Sequence, residues 1–167
     1  MKYKFLINPK SIKFIKTKFR NIRTSIPAPG TKKVLNRLSL NESRSMQGQL
    51  PIVWKKAKNF SVYDLANNKF IDFTSTIFVA NVGHSNKRII KYLSKLLKKP
   101  LISTYAYPNE IRARYHDQLI SFAGKNFQKA FLLSSGSEAT EAALKLMRLY
   151  ADKVKKRKKG IICFEGN

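Results

Sequence analysis

The feature that most constrains this chain lies near its end, where two short apolar runs flank a serine-glycine turn and a long amphipathic stretch. Ala130 to Leu133 predicts a buried strand, Ser134 to Ser137 a turn, and Glu138 to Lys155 a helix. Ala139, Ala142, Ala143, Leu146 and Tyr150 recur at helical spacing and form its apolar stripe. Ser135 and Glu138, three residues apart, predict a capping box. Glu138 and Glu141 put acid at the positive end of the helix dipole, and Lys153, Lys155, Lys156 and Arg157 put base at the negative end. Gly160 then releases the chain into a second apolar run, Ile161 to Phe164. Strand, helix and strand with short connections specify a parallel unit of an α/β sheet.

That unit also says where a ligand belongs. In an open parallel sheet, ligands sit beyond the carboxyl ends of the strands, where the next helix presents unpaired amides. Ser134, Ser135, Gly136 and Ser137 hold that place. Gly136 permits close approach of the backbone, and the serine hydroxyls can donate to phosphate oxygens, so an anion site is expected here. An ordinary capped helix start with an incidental glycine has the same local sequence. The turn is no Walker loop, because no lysine follows the glycine within it, and no dinucleotide fingerprint, because its glycines do not repeat.

Upstream, three regions are expected: a basic arm with an irregular segment over 1–50, a hairpin with helices over 51–125, and the α/β unit from 126 to 167. The opening to about Arg23 reads as a basic helix or arm, broken by Pro27, Pro29 and Gly30. Ser61 to Leu65 and Lys69 to Phe73 alternate in polarity around Asn67 and Asn68, a residue type that tolerates left-handed backbone, so they predict a two-stranded hairpin. Asn86 is placed to cap a helix carrying Ile89, Ile90, Leu93, Leu96 and Leu97, which Lys98, Lys99 and Pro100 stop. Glu110 to Phe122 predicts another, ending near Gly124.

Composition sorts the remaining classes. At 43% hydrophobic residues over 167, the chain has the apolar content of a folded domain. The 34 Lys and Arg against 9 Asp and Glu give a net charge of +25, which motivates an alternative reading as a basic nucleic-acid-binding protein, together with the run KVKKRKK at 153–159. Because the bases spread over the whole chain without interleaved aromatics, a solvated basic surface with no specific nucleic-acid partner is the preferred reading. Cys163 stands alone with only His84 and His116 beside it, so no disulfide or metal site is expected. No apolar run has the length of a membrane span. The acid-free stretch from Met1 to Leu40 is compatible with a mitochondrial transit peptide, but it is Lys-dominated and interrupted by Pro9, so a cytoplasmic location is expected.

Two blocks, VYDLANNKFIDFTSTIFVANVGHSN at 62–86 and LLSSGSEATEAALKLMR at 132–148, together resemble the class III aminotransferases, pyridoxal-phosphate enzymes of fold type I. The segments IPAP at 26–29 and PIVWKKA at 51–57 are similar as well. The resemblance implies the N-terminal part of such a fold: a small-domain hairpin and the first βαβ unit of the large-domain sheet. It implies pyridoxal 5'-phosphate as cofactor, an amino donor and a keto acid as substrates, and a homodimer. Position by position, it places Gly136 and Ser137 on the cofactor phosphate, with Ser135 as a further candidate, and Ile77 and Phe78 in the substrate pocket, where core packing is the alternative. His84 falls in the family's Gly-His motif and reads as structural. The family's Schiff-base lysine, its pyridine-pairing Asp and its ring-stacking aromatic are expected beyond Asn167, so no catalytic residue is assigned here, and the chain reads as an incomplete piece of an enzyme. Lys87 stands where the family often has proline.

Overall fold

The computed structural model describes residues 5–46, 48–101, 103–104, 106–154 and 160–166. The chain divides into two compact units, Met1–Ile102 and Ser103–Asn167.

The first unit is built on a five-stranded sheet of β1 (Ile15–Lys16), β2 (Asn21–Ile22), β3 (Trp54–Lys58), β4 (Ser61–Asp64) and β5 (Lys69–Ile71), in the order β1-β2-β5-β4-β3. Every pairing is antiparallel. The expected hairpin is β4 and β5, with Ser61 opposite Ile71, Val62 opposite Phe70 and Tyr63 opposite Lys69. Asn67 takes φ 61°, as anticipated. What the sequence reading missed is the organiser of that turn: Asp64 Oδ1 accepts from the amides of Ala66 (3.0 Å) and Asn68 (2.8 Å). β3 extends the hairpin on its other side, and Lys56 stacks its ammonium 4.6 Å from the ring of Tyr63, its cross-strand partner.

The reading of the opening as a basic helix or arm is corrected. Its described part contributes β1 and β2, and β2 pairs with β5 through Asn21 and Lys69. A buried polar knot holds this addition. Asn68, fully buried, accepts at Oδ1 from the Arg23 amide (2.7 Å) and donates from Nδ2 to Asp64 Oδ2 (2.7 Å) and Thr24 Oγ1 (2.7 Å). Nor is 24–50 irregular throughout, since α1 spans Thr31–Asn41 after the glycine break, with Gly30 at φ 87° as its N-cap. The apolar core is small: Ile22, Ala28 and Val62 are its buried residues among those described.

α2 (Lys87–Leu96) starts where predicted, with Asn86 Oδ1 accepting from the amides of Arg88 (3.0 Å) and Ile89 (3.4 Å). The second unit carries α3 (Glu110–Ala123), capped by Asn109 and ended by Gly124 at φ 88°, and α4 (Gly136–Val154). The expected strands at Ala130 to Leu133 and Ile161 to Phe164 do not form, and the parallel βαβ unit is therefore absent among the described residues. Both segments are irregular and mostly exposed, with Phe131 at 71% and Ile162 fully open. The reason is physical: apolar β-rich sequence becomes a strand only when a neighbour supplies the other half of its hydrogen-bond ladder, and among the described residues neither segment has one. Lys155, Lys156 and Arg157, expected in the last turn of α4, lie outside the described residues.

Candidate functional site

Two places hold the residues singled out by sequence, one in each unit. In the second unit, Ser134 to Glu138 forms the start of α4. Here the predicted capping box is realised in both directions: Ser135 Oγ accepts from the Glu138 amide (3.3 Å), and Glu138 Oε2 accepts from the amides of Ser135 (3.0 Å) and Ser134 (2.9 Å). The next two amides, of Gly136 and Ser137, have no hydrogen-bond partner among the described residues. The Ser137 hydroxyl is exposed, and that of Ser135, used only as an acceptor, keeps its proton to donate.

Gly136 itself carries a second message. A Cβ added there would meet nothing within 4 Å, and its φ lies outside the left-handed range. Neither sterics nor dihedral within this fold demands a glycine, which in a helix costs about 1 kcal/mol relative to alanine. The donor set, two aligned amides and two hydroxyls at the positive end of a 19-residue helix, fits a phosphate group. Lys145 takes no part in it: its ammonium lies 2.6 Å from Glu141 Oε1, an exposed pair one turn apart on the body of α4.

In the first unit, Ile77 and Phe78 sit on a single turn, Ser75–Phe78, whose four residues all take positive φ, from 48° to 67°. They are 72% and 77% exposed. The turn begins at Asp72, a residue the sequence reading passed over. Its Oδ1 accepts from the Thr74 amide (2.9 Å), the Thr74 hydroxyl (2.7 Å) and the Ser75 amide (3.0 Å). The signal was present, since an Asp followed at two and three residues by Thr and Ser is the pattern of a side-chain-organised turn.

His84 faces the other oxygen, with Nε2 2.7 Å from Asp72 Oδ2. Burial pushes the Asp72 carboxyl upward, but the bond from His84, then those from the Thr74 hydroxyl and the Thr74 and Ser75 amides, outweigh it and bring its pKa to about 2. An ionised carboxylate only accepts, so Nε2 carries the hydrogen. The imidazole is held in turn by its own backbone, which exchanges two 2.8 Å bonds with Asn59, and by the Trp54 ring, edge-on at 5.6 Å. Gly83 lets this happen. Its φ is 83°, and a Cβ would stand 3.2 Å from the Asn59 Cα. His84 thus ties Asp72 and the Gly-His segment to the β3–β4 turn.

This mixed α/β chain matches solved aminotransferase structures over about a third of their length. The acetylornithine aminotransferase of Elizabethkingia anophelis superposes with a TM-score of 0.67 and 26% identity, over 77% of this chain and 33% of its own. Residues 43–167 match the family model Aminotransferase class-III, and the chain belongs to that family. It is 32% identical to the acetylornithine aminotransferase of Methanocaldococcus jannaschii over 115 residues, 69% of this chain and 28% of that protein. It is 35% identical to the ornithine aminotransferase of Brevibacillus brevis over 121 residues, 71% and 30% respectively. The chain therefore spans about 30% of the length of these relatives. The family is pyridoxal-phosphate-dependent.

Proposed function

We propose that this chain provides the phosphate anchor and part of the substrate-facing surface of a pyridoxal-phosphate-dependent transaminase, working between an amino donor and a keto acid as a homodimer. The observation that carries the reading is the pair of partnerless amides at Gly136 and Ser137, beside a glycine that nothing inside the fold requires. Gly136 and Ser137 bind the phosphate through their amides and the Ser137 hydroxyl, and Ser135 adds its remaining proton. Glu138 orients the turn by holding the two preceding amides, which leaves the later pair to the ligand. The cofactor, when bound, supplies the electron sink for moving the amino group. Ile77 and Phe78 offer apolar surface to the donor, and the names of the relatives point to donors of the ornithine type.

The test is cofactor binding by the purified chain, followed by pyridoxal-phosphate fluorescence and by competition with inorganic phosphate. Gly136→Val should abolish binding by bulk. Ser137→Ala removes one hydroxyl donor to a charged acceptor, worth about 1.5–3 kcal/mol, and should weaken binding by roughly one to two decades. Lys145→Ala should change nothing. Retention by Ser137→Ala with loss by Lys145→Ala would put the anion at the wrong place on α4.

A further inference from the structure

The Ser75–Phe78 turn poses a problem that packing does not solve. Left-handed backbone is unfavourable for every L-residue with a side chain and worst for β-branched ones, yet Thr76 and Ile77 adopt φ 53° and 59°. Such strain persists only where the surroundings impose it. Burial does not: Ile77, Phe78 and Val79 are each more than 70% exposed. What does grip the turn is Asp72, with three donors from Thr74 and Ser75 on one carboxylate oxygen and His84 on the other. Since His84 is fixed by Asn59 and Trp54, the grip refers the turn to the β3–β4 hairpin.

We propose that Asp72 is the positioning residue of this surface: it holds Ser75–Phe78 in its left-handed form so that Ile77 and Phe78 stand outward as an apolar platform for the hydrocarbon chain of the amino donor. The donor half of this statement rests on the substrate-facing reading of Ile77 and Phe78 given above. The turn half rests on the hydrogen bonds alone. Asp72 acts through the backbone and touches no reacting atom. Of its two anchors, the three-donor oxygen shapes the turn and the His84 oxygen sets its place. The Ser75–Phe78 turn and the Gly83–His84 segment are thereby coupled through one carboxylate.

The experiment uses the full chain with ¹³C-labelled isoleucine δ1-methyls and ¹⁵N amides, and N-acetylornithine as the probe. In the wild type, the Ser75 to Phe78 amides should report positive φ, and the Ile77 methyl should shift on adding the probe. Asp72→Asn keeps one neutral acceptor but loses the charge behind all four bonds and turns the oxygen facing His84 into an amide donor, so it should erase the positive-φ signature and weaken the probe response by about tenfold. Val62, on β4, should keep its shifts. Thr76→Gly in the Asp72→Asn background should restore the turn, because glycine adopts this backbone without penalty; a general loss of stability would not be rescued in this way. Should Asp72→Asn fail to fold, Thr74→Val removes a single donor to the same oxygen and should move the Ile77 methyl in the same direction. An unchanged turn in Asp72→Asn or Thr74→Val, or a double variant that stays disordered at 75–78, overturns the positioning role. A wild-type Ile77 methyl indifferent to the probe overturns the substrate reading instead, while the amide signature still decides the positioning.

Discussion

The stretch from Trp54 to His84 and the stretch from Ala130 to Phe164 both carry family motifs, but they are held in opposite ways. In the first, polar groups far apart in sequence are tied together: Asn68 to Arg23 and Thr24, His84 to Asp72 and Asn59, Ser85 to Ala57. In the second, the bonds at the start and along the body of α4 are local. Glu138 reaches three and four residues back, Thr140 bonds the Gly136 carbonyl at 3.0 Å, and Lys145 pairs with Glu141. No residue of α4 is buried. The first motif is fixed by its own surroundings. The second has its local geometry in place while its apolar side chains, Leu146, Met147 and Tyr150 among them, remain uncovered.

The sharpest way to break this contrast is to remove one side chain from each. Asn68→Ala leaves the Arg23 amide and the Oδ2 atom of Asp64, both at the knot, without their Asn68 partner, and unsatisfied buried groups of this kind should cost about 3 kcal/mol in all. Leu146→Ala, at a site 57% exposed, should cost no more than about 0.5 kcal/mol. Urea denaturation followed by the fluorescence of Trp54, the single tryptophan, and by helix circular dichroism would read the two separately. Equal effects would show that α4 is packed in solution as the hairpin is.

The two motif glycines make a second pair. At Gly83 an alanine meets the Asn59 backbone at 3.2 Å and must hold φ 83°, so Gly83→Ala should destabilise the first unit by about 2 kcal/mol. At Gly136 nothing lies within 4 Å and no left-handed φ is imposed, so Gly136→Ala should be neutral or stabilise α4 by up to about 1 kcal/mol. Thermal melts of the two variants decide it. A destabilised Gly136→Ala would mean that this glycine serves the fold, removing the main reason to assign it to a ligand.

The same contrast explains what was legible in the sequence. Local rules worked wherever the partner is a few residues away: the Asn86 and Ser135–Glu138 caps, the Asn67 turn, and the Gly124 stop all stand where turn and cap chemistry put them. Local rules failed where the outcome depends on distant neighbours. Asn21 and Ile22 become a strand because β1 and β5 are there to pair with, and Phe131 and Ile161 do not because no strand lies beside them among the described residues. The amides and hydroxyls of Ser134 to Ser137, proposed above to take an anion, were legible as a pattern. The Asp72–His84 clasp was not, because its members stand twelve residues apart and only the folded chain brings them within 2.7 Å.

That clasp offers the smallest and most specific probe of the first stretch. The Asp72 pKa is lowered from 3.8 to about 2 in the fold, so the folded state favours the ionised carboxylate. Its contribution is therefore fully present above about pH 4 and fades as the pH falls toward 2, where the folded state must take up the proton. After allowance for solvent screening, the amount is on the order of 1 kcal/mol. Because the whole chain titrates in this range, the informative quantity is the difference between wild type and Asp72→Asn, measured by urea denaturation at successive pH values. That difference should shrink from pH 4 to pH 2. Trp54, whose ring abuts His84, should report it directly. Curves that run parallel across the window would mean that the carboxylate is not coupled to the fold as its four hydrogen bonds require, and the first stretch would then be no better anchored than the second.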